Sequence, residues 1–437
     1  MRYYLESLGC AKNLVDSEHF VHILKSYGFS EAVYVEDADV VLVNTCAFLA
    51  ASLGELDEVL SEIIDSINPK KTRVVVTGCV MNRALAEFQE LFPEVNKWIA
   101  LKDFAAFEKY LLRYVLPKGI KPRVVDLEGR EMLDQDGLFA YLRISDGCEN
   151  YCSYCMIPSI RGKLVSEPIE KLVEEARRLA SRGRELVLIA QDSCLYGTDL
   201  YGRKALPELI EKLHEIPGYD WIRIMYMHPD HFEPEWTSLW HKFPKLLPYF
   251  EIPIQHVSDR IIKLMNRQKS YQELKELFLH IRREIPQSVF RTTLMLGYPT
   301  ESKADRDLIL KFLDEVDILY VGVFGYSPEK EMQSESGVGD FDFAFVEQLK
   351  TEFEASFLEL RERKMQAMVG TRHQFLVEGY AEEMNSWYGR LWFQAPDVDG
   401  IAYVDGLKPD NPVLTEVEIV DALADELSCQ AITDADT

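Results

Sequence analysis

Two short runs constrain the fold most: "DVVLVNTC" (39–46) and "RVVVTGC" (73–79). Each is β-branched and apolar without alternation, the composition of a strand buried on both faces of a parallel sheet. "RYYLESLGC" (2–10) supplies a third candidate strand. Helical spacing in "DSEHFVHILKSYGF" and "LDEVLSEIIDSI" separates the three. A βαβαβ order with right-handed crossovers follows, and predicts an open parallel sheet over about residues 1–125. All three runs end in cysteine: Cys10, Cys46 and Cys79. Carboxyl ends of parallel strands share the edge where ligands bind, so the three thiols are expected to meet there. Any one of them alone could be an ordinary buried cysteine. Three in the same strand-end position are harder to dismiss.

From 135 to 340 the pattern changes to repeated strand–helix units. Six candidate strands are legible: "LFAYLRIS", "ELVLIAQD", "WIRIMYMH", "YFEIPIQH", "FRTTLMLGYP" and "ILYVGVFGYS". Stretches such as "IEKLVEEARRLASRG" and "YQELKELFLHIRREI" separate them. Six such units predict an incomplete, (βα)6 version of the eight-unit barrel. Polar residues gather at the strand ends, on the functional face of such barrels: Asp146, Gln191, Asp192, His228, Gln255, His256 and Tyr326. A helical connector is expected over 343–368. Short β-like runs in the tail, 369–437, predict a small antiparallel barrel. The fold class is therefore α/β, with three segments at 1–125, 135–340 and 369–437.

With 437 residues, 47% hydrophobic and 28% charged, the composition is that of a globular chain of two or three domains. The first residues lack a basic region followed by an apolar one, and no run of about 18 apolar residues occurs, so a cytoplasmic protein without a membrane partner is expected. The net charge of −25 argues against a generic nucleic-acid binder and suits a basic protein partner. Eight cysteines in such a chain favour metal or redox chemistry over disulfides.

"DGCENYCSYCMIP" (146–158) packs Cys148, Cys152 and Cys155 at Cys-x-x-x-Cys-x-x-Cys spacing. A structural zinc site takes four protein ligands, and no fourth Cys or His lies close in sequence. Zinc stays open as an alternative. A 4Fe–4S cluster held by three thiolates keeps one iron open. The spacing, with Tyr154 before the third cysteine, resembles the radical S-adenosylmethionine signature. There the open iron chelates S-adenosylmethionine, whose reductive cleavage gives a 5′-deoxyadenosyl radical.

The whole chain resembles the methylthiotransferase family. The matching motifs are "SLGCAKNLVDSE", "NTCAF" and "TGC" at the front, "CENYCSYCMIPSIRGKLVSE", "IAQDSCLYGTD", "IPIQHVSDRIIKLMNR" and "LGYPTES" in the middle, and "GRLWFQAPDVDG" at the back. The resemblance implies a radical S-adenosylmethionine barrel and a tail of the TRAM type. It implies a second 4Fe–4S cluster on Cys10, Cys46 and Cys79, and two uses of S-adenosylmethionine, as methyl donor and as radical source. "IPIQHVSD" resembles the ribosomal-protein aspartate branch (RimO-type) rather than the tRNA branch. The tail agrees, carrying three Lys/Arg (Arg372, Arg390, Lys408) against fourteen Asp/Glu from Met368 to Thr437. An acidic lobe attracts a basic protein and repels phosphate, although charged faces are often simply solvated. The implied reaction is methylthiolation of an aspartate β-carbon in small-subunit ribosomal protein twelve, with an electron donor such as flavodoxin or ferredoxin. The alternatives are methylthiolation of tRNA adenosine, or a non-catalytic zinc-stabilised module associated with RNA or the ribosome.

Tyr154, Gln191, Asp192, Gln255, His256, Gly297 and Pro299 are the candidate cofactor contacts. Each has a plainer reading. Tyr154 could fill its loop, Gln191 and Asp192 could hydrogen-bond within theirs, and His256 could be a structural histidine. Gly297 and Pro299 could form an ordinary turn. No residue beyond the cluster ligands is assigned a catalytic role. Cys194 is read as incidental and Cys429 as structural or exposed. The chain departs from the family's pattern at "MQSES", which puts contacts around Met332 in doubt, and at its end, "ADELSCQAITDADT".

Overall fold

A computed structural model describes residues 1–120, 125–127, 129–133, 138–181, 183–329, 341–407, 413–423 and 426–432. The departure around Met332 lies outside them. The chain forms two compact units: Met1–Gln135 with Asp146–Leu164 and Glu329–Glu335, and Asp136–Ser145 with Val165–Pro328 and Ser336–Thr437.

The first unit is built on a parallel sheet of β1 (Arg2–Ser7), β2 (Ser30–Glu31), β3 (Val40–Thr45), β4 (Arg73–Gly78) and β5 (Lys97–Trp98), in the order β2-β1-β3-β4-β5. The unbroken apolar runs have a physical reason. Val40, Leu42 and Val75 pack with Phe20, Val21 and Leu24 of the helix Ala11–Ser26. Their neighbours Val41, Val43, Val74 and Val76 pack with Leu56, Leu60 and Ile63 of the helix Ala50–Ser66. Side chains alternate between faces and both faces are covered, so every position is apolar. Each such burial contributes about 1.5–3 kcal/mol. The three central strands and these two helices are those the sequence predicts, and the two-residue edge strands β2 and β5 are additional.

In the second unit all six barrel strands form: Phe139–Arg143, Glu185–Ile189, Trp221–Ile224, Tyr249–Glu251, Val289–Leu296 and Tyr320–Gly325. They make two parallel three-stranded sheets, the first three strands in one and the last three in the other. Met227 N donates to Glu251 O at 3.0 Å between the two. The connector is the helix Phe343–Gln366.

The tail is a closed barrel of five strands, not only the four runs legible in sequence: Arg372–Ala381, Ser386–Leu391, Ile401–Asp405, Leu414–Leu423 and Glu426–Ala431. The fifth comes from the atypical ending, where Leu427, Cys429 and Ala431 alternate inward. Four of the barrel's five pairings are antiparallel, as expected. Five strands in a ring cannot all alternate in direction, and the odd pair is Ile401–Asp405 with Glu426–Ala431, which runs parallel.

The tail barrel is fixed to the amino ends of the six-strand segment by buried charge. Glu185, fully buried, accepts from Arg223 Nε and Arg390 Nη1, both at 2.6 Å. Burial alone would raise its pKa, but the two guanidiniums override this and hold it low. Tyr249 Oη donates to Asp399 at 2.6 Å, Tyr141 Oη to Asp397 at 2.8 Å, and Arg291 pairs with Asp399. Among the described residues no helix is long and apolar enough to cross a membrane.

Candidate functional site

The first unit brings both cysteine sets onto one framework. Ser7, Asn44 and Thr77 are in register on adjacent strands, so β1, β3 and β4 end level. Cys10 precedes the helix Ala11–Ser26, Cys46 directly follows β3, and Cys79 directly follows β4. Asn13, buried one turn beyond Cys10, ties these ends together. Its Nδ2 donates to Leu8 O and Thr45 O, both at 2.9 Å, and its Oδ1 accepts from Cys79 Sγ at 3.8 Å. Gly9 has φ +95°, and a Cβ there would meet Cys46 Cβ at 2.7 Å. Cys10 is exposed, Cys46 half-buried and Cys79 buried, and none is in a disulfide. Burial pushes the Cys79 thiol up to about 11, with the Arg161 guanidinium pulling the other way.

The loop carrying Cys148, Cys152 and Cys155 belongs to the same unit. Gly147, at φ +74°, lets the chain pass under Lys163, whose carbonyl oxygen would sit 2.0 Å from any Cβ. Cys148 N donates to Gly162 O at 3.1 Å and Cys155 N to Cys152 O at 3.0 Å. Met156 and Ile160 sink into the core beside Leu56, Val80 and Phe88. Asn82 Nδ2 holds Ile160 O at 2.7 Å. Tyr154 is buried, while Tyr151 is exposed at φ +48°.

Arg161 connects the two sets. Its side chain is 1% exposed. Nη1 donates to both oxygens of Asp146 at 3.2 Å, and Nη2 donates to Asn13 Oδ1 at 2.5 Å, Asp16 Oδ2 at 3.4 Å and Cys79 Sγ at 3.7 Å. Lys102 Nζ reaches Asp146 Oδ2 at 2.5 Å. Burial disfavours the Arg161 cation, but Asp146 and Asp16 outweigh that and keep it protonated. The sequence reading passed over Asn13 and Arg161. Both lie inside quoted motifs, but their partners are up to 148 residues away, which no local pattern reveals.

One ion with zinc–sulfur bonds of about 2.3 Å needs thiols about 3.8 Å apart. Among the described residues neither cysteine set has its three sulfurs within 4.8 Å of one another. The donor chemistry, all thiolate, suits iron–sulfur ligation.

The remaining candidates lie in the second unit. Gln191 and Asp192 follow the strand Glu185–Ile189. Asp192 is buried; its Oδ1 accepts from Cys194 N at 3.0 Å, and its Oδ2 lies 2.6 Å from His231 Nδ1. His256 is fully buried, and its Nδ1 accepts from Val257 N and Ser258 N, both at 2.9 Å. Burial lowers its pKa to about 4. It holds a loop, as the structural reading has it. Gln255, at φ +67°, makes a backbone bridge to Leu294. Gly297 has φ +75°, donates to Glu301 Oε2 at 2.7 Å and packs on Val346, while Pro299 is exposed in the following turn. Cys194 is fully buried, and its thiol is pushed well up by burial. Cys429 points into the tail barrel, where burial raises it to about 12.

Three family models match the chain: the Radical SAM superfamily over residues 142–313, the uncharacterized protein family UPF0004 over 2–100, and the TRAM domain over 369–432. Relatives named ribosomal protein uS12 methylthiotransferase RimO match almost end to end. The one from Thermotoga maritima is 35% identical over 93% of this chain and 94% of its own. The one from Aquifex aeolicus is 36% identical over 93% and 91%, and the one from Fervidobacterium nodosum 37% over 93% and 94%. Among solved structures, the radical S-adenosylmethionine methyltransferase TsrM from Kitasatospora setae, with cobalamin and a [4Fe-4S] cluster bound, superposes with a TM-score of 0.53. Identity is 14%, over 77% of this chain and 81% of that one, a likeness of fold alone.

Proposed function

We propose, on the premise that this chain belongs to the RimO family of ribosomal protein uS12 methylthiotransferases, that it inserts a methylthio group at the β-carbon of an aspartate in ribosomal protein uS12. The observation that carries this reading is the pair of three-cysteine sets in one compact unit, in a chain matched over 93% of its length. In this reading Cys148, Cys152 and Cys155 hold one 4Fe–4S cluster, and Cys10, Cys46 and Cys79 a second. Cys148, Cys152 and Cys155 would hold a group whose chemistry, with S-adenosylmethionine bound, would be one-electron reductive cleavage. The segments 1–125, 135–340 and 369–437 are the working parts, and flavodoxin or ferredoxin the electron donor.

The chain's own residues position and shield. Arg161 and Asn13 fix the Cys79 edge against the loop of Cys148, and a buried N–H donor beside sulfur, here Arg161 Nη2, tunes a cluster's potential. An unactivated C–H bond offers no acidic proton, so no side-chain base is required, and dry walls protect a radical from side reactions. Tyr154, Gln191, Asp192, Gln255, Gly297 and Pro299 remain the proposed cofactor contacts, and His256 acts through the loop it caps.

The test is anaerobic incubation of the reconstituted protein with S-adenosylmethionine, reductant and either uS12 or tRNA. A methylthio mass gain on uS12 is expected. A gain on tRNA alone overturns the substrate. Stoichiometric zinc without labile sulfide overturns the enzyme.

A further inference from the structure

A group outside both cysteine sets is also arranged to bind. Asp192, His228 and His231 lie at the carboxyl ends of the strands Glu185–Ile189 and Trp221–Ile224, the face where barrels of this kind place ligands. One donor atom from each lies within 4.8 Å of the other two. We propose that these three residues form a divalent-cation site of two imidazoles and one carboxylate, for an ion such as zinc or manganese.

Three features carry the proposal beyond proximity. The first is an unpartnered nitrogen. The His228 side chain is 8% exposed, and its Nε2 has no hydrogen-bond partner. A buried polar atom left so costs about 1–3 kcal/mol, and a bound ion removes that cost. The second is orientation. Asp192 Oδ2 lies 2.6 Å from His231 Nδ1, so the carboxylate and that ring already face one another. The Asp230 amide donates to His228 Nδ1 at 3.2 Å, and Asp230 Oδ2 lies 3.9 Å from the same nitrogen; an ion on Nε2 requires the ring proton to move to Nδ1, where that carboxylate faces it.

The third feature is charge. The side chains of Asp192 and Asp230, 2% and 6% exposed, are carboxylates beside two rings. One cation, Arg267, acts on His228, and its Nη1 donates to Pro253 O at 2.6 Å. Two carboxylates against one guanidinium leave room for a positive ion. A single ion sets its ligands about 3.4 Å apart, so the rings close by about 1 Å on binding. Three protein ligands leave at least one position open, and the side chain of His231, 23% exposed, makes it reachable.

Manganese is the probe, because it does not compete for thiolates. It is titrated into the anaerobically reconstituted holoprotein, whose cysteines are occupied. Loss of the free-ion electron paramagnetic resonance signal counts sites, and pulsed measurement reads nitrogen couplings. One site per chain with imidazole nitrogen couplings is expected. His231→Ala, at the partly exposed member, is expected to weaken it by about 10-fold or more, with iron content unchanged. His228→Gln is the second variant. Manganese bound without nitrogen coupling, bound equally by wild type and both variants, or not bound at about 1 mM, overturns the proposal. Should a variant lose its iron and so its fold, the wild-type nitrogen couplings decide alone.

Discussion

Asn13 and Arg161 show how much of the thiol edge rests on residues that carry no metal chemistry. Three cysteines following three strands were legible because strand and ligand are adjacent in sequence. What aims them was not, because Arg161 gathers Asn13, Asp16, Cys79 and Asp146 from three separate stretches. Its fork supplies two donors in one plane, and a lysine supplies only a point charge. Arg161→Gln removes a cation from beside two buried carboxylates, Asp146 keeping Lys102, and removes the donor to Cys79. Methylthiotransferase turnover is expected to fall about 10- to 100-fold, with a lower midpoint potential for the cluster at Cys79. Arg161→Lys is expected to restore charge and part of the potential. Redox titration of the electron paramagnetic resonance signal checks this in a variant lacking Cys148, Cys152 and Cys155. An unmoved potential would assign Arg161 to folding alone.

Among elements, the tail barrel shows where pattern reading stops. Four of its strands alternate visibly. The fifth, "ELSCQA", places small or sulfur-bearing residues inward at Cys429 and Ala431, and so lacks the β-branched signal. The charges that fix this barrel were equally hidden. Arg390 looks like a surface base in sequence, yet it is buried against Glu185, 205 residues away. Glu185→Ala takes the paired carboxylate from buried Arg223 and leaves Arg390 with Glu378, so a loss of about 3–5 kcal/mol is expected, read as a lower thermal midpoint and faster proteolysis of the tail. The loop held by His256 gives a pH signature. The buried ring stays neutral down to about 4, whereas an unfolded histidine takes up a proton near 6.5. The unfolded state therefore binds the extra proton between those values, and stability falls as pH drops through that window. The slope is about 1.4 kcal/mol per pH unit for one proton. His256→Asn keeps an acceptor for the amides of Val257 and Ser258 but cannot titrate. Denaturation midpoints from pH 6.5 to 5 are expected to flatten by one proton relative to wild type.

For the molecule as a whole, charge is the property that bears on the partner. The −25 balance was legible from composition, but which charges face water was not. Arg390 is buried, and Asp397 and Asp399 are bonded to Tyr141 and Tyr249. Burial removes one base, Arg390, and one acid, Asp399, from the tail's exterior, while Asp397 stays exposed. Among its described residues Arg372 is the remaining base, and its neighbour Glu418 lies at 3.6 Å. The exterior therefore stays acidic, and Glu382 and Glu383 are both exposed there. A field of this sign speeds encounter with a basic protein and slows encounter with RNA, and salt screens both effects. Association with uS12 is expected to slow by about 10-fold or more as ionic strength rises from low to physiological. The double variant Glu382→Lys, Glu383→Lys is expected to slow association at low salt, to lose part of that salt dependence, and to leave uS12-independent cleavage of S-adenosylmethionine unchanged. Stopped-flow binding at several salt concentrations reads the first two effects and product chromatography the third. Faster association in the lysine variant would mean that the acidic exterior repels the substrate, which would return tRNA to consideration only if tRNA bound the wild-type protein with the opposite salt dependence.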